Sequence, residues 1–122
     1  MDQHTKPILD SGQRHEFDTG SRRDIRTDKG RYDLLPPHAV FRLARVFEKG
    51  AEKYGDRNWE KGQPLSRYLD SMLRHTFRFL AGERNEDHLA QAVWNGMALM
   101  ETAHRIDSGL LPDELNDLNE PE

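Results

Sequence analysis

The stretch from His88 to Asp107 constrains the fold most. Its apolar residues Leu89, Ala90, Ala92, Val93, Trp94, Met97, Ala98, Leu99, Met100, Ala103 and Ile106 cover most of a helix circumference. A helix that is apolar nearly all round belongs at the centre of a structure, mostly buried. At 100° per residue, His88, Gln91, Asn95 and Thr102 fall within about 60° of one another, a polar stripe on that helix. Buried polar groups left without partners cost about 1–3 kcal/mol each, so the stripe needs a use. Either it bonds to neighbouring side chains and fixes helix register, or it lines a polar pocket.

Two further helices flank it in sequence. Pro36-Pro37 opens the first, since proline is tolerated in a first helical turn where its missing donor costs nothing. Ala39, Val40, Leu43, Ala44, Phe47, Ala51 and Tyr54 form its apolar stripe, and Gly55 ends it. Residues 55–64 read as a loop from their Gly, Asn and Pro content. Ser66 suits the N-cap of a second helix with Leu69, Met72, Leu73, Phe77 and Leu80 inward, ending near Gly82. Asp87 suits the cap of the third, which runs to about Asp107. No strand-like alternation occurs anywhere. The expectation is an all-α bundle of three core helices, up-down in order. Three are too few to bury the last fully, so oligomerisation into a dimer or tetramer is expected to complete the bundle.

Composition sets the boundaries. The chain has 122 residues, room for one small domain, and no cysteine. That removes disulfides, thiolate nucleophiles and cysteine-built zinc sites, and it fits a reducing, cytoplasmic setting. No apolar run exceeds four residues (Met97 to Met100), which argues against a spanning helix or a signal-peptide core. Apolar residues make up 34% of the chain but 44% of residues 34–111. Residues 1–20 accordingly read as a flexible arm, 21–111 as the helical domain and 112–122 as an acidic tail. Residues 21–33, densely charged yet carrying Ile25, Gly30 and Tyr32, are either a solvated linker or an ordered loop over a ligand. The net charge of −4 lies in the tail, so a nucleic-acid partner, which would need a clustered basic surplus, is not expected.

Candidate chemistry sits on the helix borders. Glu48 lies at the edge of the first apolar stripe with Glu52 one turn on, a pair that repels unless a cation or base lies between. His75 projects from the border of the second helix, structural or catalytic. Glu83, Glu86 and Asp87 cluster before the third, where capping alone would explain them. Carboxylates without thiolates suit Mg²⁺ or Mn²⁺, and magnesium leaves positions open for phosphate oxygens. Lys29, Arg31, Lys53, Arg57 and Arg74 are the candidate phosphate partners. Trp59, in a polar loop, either stacks on a nucleobase or anchors the loop on the core.

The ordered series DKGRYDLLPP (28–37), FEKGAEKYGDRNWEKG (47–62), SRYLDSMLRH (66–75), GE (82–83) and HLAQAVWN (88–95) resembles the phage and bacterial dATP/dGTP diphosphohydrolase family. That family is similar to the MazG-like all-α nucleoside triphosphate pyrophosphohydrolases. The resemblance implies a helical, oligomeric fold with Mg²⁺ between helices, and hydrolysis of a purine (deoxy)nucleoside triphosphate to monophosphate and pyrophosphate. By position, Glu48 and the His88–Asn95 stripe fall at the cleft, with 53–59, including Asn58 and Trp59, and 29–37 bordering the nucleotide.

On that reading Glu48, with Glu52, Glu83 or Asp87, holds the metal. A free carboxylate, His75 or His88 takes the proton from water, and Lys53, Arg57 and Arg31 hold phosphate oxygens. Lys29 borders the nucleotide, and Gln91 or Asn95 reads the base or orients the sugar. The MazG-like pattern E-x-x-E followed by E-x-x-D is not reproduced here: Glu48 and Glu52 are four apart, and the literal E-x-x-E, Glu83 to Glu86, spans a helix boundary. That departure supports an alternative, a non-catalytic nucleotide-binding or assembly module of the same fold. HD-type phosphohydrolases need an adjacent His-Asp pair, and only the reversed Asp87-His88 occurs.

Overall fold

With Pro36 at the N-cap and Pro37 as its first residue, α1 (Pro37–Tyr54) starts without a side-chain cap and closes on Gly55, whose φ of 89° no β-carbon favours. These bounds come from a computed structural model that describes residues 6–118. The expectations for residues 1–5 and 119–122, at the ends of the arm and tail, lie outside the described residues. The chain forms two units, divided between Leu35 and Pro36.

In the N-terminal unit, β1 (Arg14–Glu16) pairs antiparallel with β2 (Arg22–Asp24), placing Arg14 opposite Asp24 and Glu16 opposite Arg22. No strand-like alternation in the sequence announces this hairpin, which the chain carries in addition to the all-α core of three helices. Three-residue strands are too short to show alternation, and their pairing rests on opposite charges and polar bonds instead. Asp24 is the hub, accepting from Ser11 and, at 2.9 Å, from Lys29 Nζ. Those donors hold its carboxyl far below the usual carboxylate range. A 3-10 turn follows at Tyr32–Leu34.

The second unit holds α1, α2 (Leu65–Leu80) and α3 (His88–Asp107), with a 3-10 turn at Asn58–Lys61 between the first two. Helix α2 starts one residue before the expected cap. Pro64 occupies the N-cap, and Ser66 instead gives its backbone N–H and hydroxyl to Asp117. Asp87 caps α3 as expected, its side chain accepting from Ala90 N–H at 3.2 Å. Helices α2 and α3 pack along their length, and α1 lies against α3 over a shorter stretch. Phe47, Trp94 and Tyr68 join all three helices, the Trp94 ring meeting Phe47 at 5.8 Å and Tyr68 at 6.2 Å between centroids.

Helix α3 is only half buried, which corrects the expectation of a mostly buried helix. Its inward face holds Ala90, Ala92, Ala98 and Ile106 together with polar His88, Asn95 and Thr102. Its outward face carries Leu89, Val93, Met97 and Met100, the last 69% exposed. Small residues on the inner face let α2 come close, and a β-carbon at Gly96 would meet Met72 Sδ at 3.3 Å. No helix among the described residues is long and apolar enough to cross a membrane.

Candidate functional site

Because α1 meets α3 but largely leaves α2, the second unit contains a cleft of about 1060 Å³ between α1 and the α2–α3 pair. Its walls bring together Glu48, Lys53, Arg57, Asn58, Trp59, His75, Asp87, Gln91 and Asn95, residues that lie far apart along the chain. Glu52 and Glu83 are not among its walls. Lys29 and Arg31 belong to the N-terminal unit, where Lys29 bonds Asp24 and Arg31 makes a two-pronged bond to Asp33 at 2.8 and 2.9 Å.

Three of the carboxylates in the cleft are already engaged. Asp87 receives both prongs of Arg42, at 2.9 and 2.6 Å, and caps α3 as well. The Arg42 guanidinium holds its carboxyl below the ordinary range. Glu48 accepts from Arg45 at 2.6 Å, and Glu86 accepts from Gln91 Nε2 at 3.2 Å. Among the described residues no three His, Asp or Glu side chains gather to hold a metal ion, so the expected set Glu48, Glu52, Glu83 and Asp87 is not brought together. The donor chemistry fits a hard cation only in one mode, bound by one or two carboxylates and otherwise by phosphate oxygens and water. Glu48, on the α1 wall with a single protein donor and no capping role, is free to serve such an ion.

Two imidazoles pair where α2 meets α3. His88, 1% exposed, lies behind His75, and their Nδ1 atoms are 2.9 Å apart. His88 Nε2 lies 3.0 Å from Asn85 Oδ1. Burial, then the charges of His88, Arg74 and Arg78, push His75 below its ordinary value of 6.5, with Glu86 pulling the other way. His75 therefore stands neutral at pH 7. Asn95 donates Nδ2 to the Gln91 carbonyl at 2.8 Å, which fixes its amide at the cleft wall. Trp59 carries the Arg105 guanidinium over its ring at 5.3 Å.

Sequence reasoning missed Arg42, Arg45 and Asn85. Arg45 sits one turn before Glu48 on α1, a spacing that would have paired them, whereas Arg42 reaches Asp87, 45 positions away, which no local spacing reveals. Asn85 was hidden inside a charged run that reads as capping.

The family model described as dATP/dGTP diphosphohydrolase, N-terminal, matches residues 19–109, a span that contains every wall of this cleft. The chain belongs to the dATP/dGTP diphosphohydrolase family. A relative from Salmonella phage PMBT28, itself named dATP/dGTP diphosphohydrolase, is 35% identical over 66 residues. That alignment covers 52% of this chain and 21% of the relative, so the chain spans well under half of that diphosphohydrolase. No solved structure matches.

Proposed function

We propose that the cleft binds a purine deoxynucleoside triphosphate with Mg²⁺ and hydrolyses it to the monophosphate and pyrophosphate. The observation that carries this reading is one cleft lined by basic side chains of α1 and its following loop, with a neutral imidazole on α2. Family membership supports a purine nucleotide as the substrate class.

Lys53 and Arg57 hold phosphate oxygens, and Trp59 and Asn58 border the nucleoside. With its Nδ2 committed to Gln91, Asn95 offers Oδ1 to an N–H of the base edge. Water attacks the α-phosphorus, forming the new P–O bond as the bond to the α–β bridging oxygen breaks and pyrophosphate leaves with the electron pair. His75 accepts the water proton. Glu48 would hold the ion, which when bound neutralises triphosphate charge and polarises the α-phosphoryl group. Asp87, tied to Arg42 and the helix cap, is a structural residue in this scheme, and His88 acts behind His75. We also propose a second copy of the chain as partner, seated on the outward apolar face of α3.

Incubation with each dNTP and Mg²⁺ tests the reading: dATP or dGTP should yield monophosphate and pyrophosphate, and Glu48→Gln should abolish turnover. Unchanged pyrophosphate release in that variant contradicts it. The ungathered carboxylates favour a second reading, a nucleotide-binding module without turnover, for which dNTPs would raise the melting temperature and remain intact.

A further inference from the structure

We infer that Asn85 and His88 are positioning residues that lock His75 in its Nδ1–H tautomer and leave a bare Nε2 at the cleft. The chemical use of that nitrogen rests on the proposed hydrolysis; the tautomer does not. A carbonyl oxygen can only accept, so the 3.0 Å contact between Asn85 Oδ1 and His88 Nε2 puts a proton on that nitrogen. A neutral imidazole carries one N–H, and His88 Nδ1 is then a lone pair. The 2.9 Å approach of the two Nδ1 atoms needs one donor, which must be His75 Nδ1–H. His75 Nε2 remains, without a protein partner among the described residues and not sealed from solvent, on a residue that lines the cleft.

The relay also fixes where a further proton goes. Protonating His88 Nδ1 would set N–H against N–H, so uptake falls on His75 Nε2. The groups facing His75 are His88 from α3, Arg74 and Arg78 from its own helix, and Glu86 from the turn between them. The direction depends on the Asn85 amide. Were it reversed, its NH₂ would donate, the relay would run backwards and Nε2 of His75 would be capped by a proton.

Long-range ¹H–¹⁵N correlation on the full chain labelled at histidine reads the tautomers directly. The expected pattern is Nε2–H at His88 and Nδ1–H at His75. Asn85→Asp, an obligate acceptor, should preserve it, and Asn85→Leu should release His75 toward the Nε2–H form. With dGTP or dATP as substrate, Asn85→Leu should lower kcat about tenfold or more with KM little changed, and Asn85→Asp should restore it. Finding Nε2–H at His75 in the unaltered chain would overturn the inference. The expected tautomers in a chain that turns over no nucleotide would uphold it and reject the hydrolysis reading alone.

Discussion

Asp87 accepts two hydrogen bonds from Arg42 and one from Ala90 N–H, and these donors fix it as a joint between α1 and the start of α3. Losing the cap costs about 1 kcal/mol. The ion pair adds less than about 1 kcal/mol, because both side chains remain more than a third exposed. Asp87→Ala should therefore lower the unfolding free energy by about 1–2 kcal/mol in urea titrations, and Arg42→Ala by less. The cap was legible in the sequence as Asp before an apolar periodic run; the Arg42 partnership, 45 positions away, was not. His75 shows the complementary limit. A histidine on a helix border reads equally well as structural or chemical until the residue behind it is known. Its pKa, depressed below 6.5 by burial, gives a sign for pH dependence. The proton-accepting form exists above the folded pKa, so kcat/KM should fall as pH drops through a value below 6.5, not above it. The same depression contributes stability that is present above 6.5 and declines as pH falls toward the folded value.

At the scale of elements, the register of α2 against α3 follows from their short connection. In an antiparallel helical hairpin, residues at equal distance from the turn face each other. About the Ala81-Gly82 turn, His75 mirrors His88, Tyr68 mirrors Asn95 and Leu65 mirrors Ala98, all six of them buried. The imidazole pair was thus implicit in the spacing once the turn was placed. Helix ends at Gly55, Gly82 and Asp87 were equally legible, each resting on local backbone chemistry. The β1–β2 hairpin and the start of α2 were not, because they depend on side-chain partners such as Asp24 and Asp117 that no period reveals. Gly62 offers an element-scale test. It has φ of +93°, and a β-carbon there would come within 2.8 Å of Leu115 and 3.1 Å of Leu111. Gly62→Ala should destabilise by about 1–3 kcal/mol through strain and overpacking. Gly55→Ala, at a similarly positive φ of +89° but with open space around it, should cost less in the same melting experiment.

For the whole molecule, three helices leave apolar surface outside: Leu89, Val93, Met97 and Met100 on α3, and Phe77 and Leu80 on α2. Such stripes at helical spacing suit a larger bundle with a second copy. Sedimentation should show a concentration-dependent dimer or larger assembly, shifted to monomer by Met97→Glu; a chain that stays monomeric at every concentration would contradict that partner. In the proposed hydrolysis, water attacks the α-phosphorus. Phosphorus NMR of dGTP and dATP turned over with Mg²⁺ in ¹⁸O-labelled water distinguishes this from attack elsewhere. Label should appear in the deoxynucleoside monophosphate and not in the pyrophosphate released with it. Label in pyrophosphate, or diphosphate and free phosphate as products, would contradict attack at the α-phosphorus.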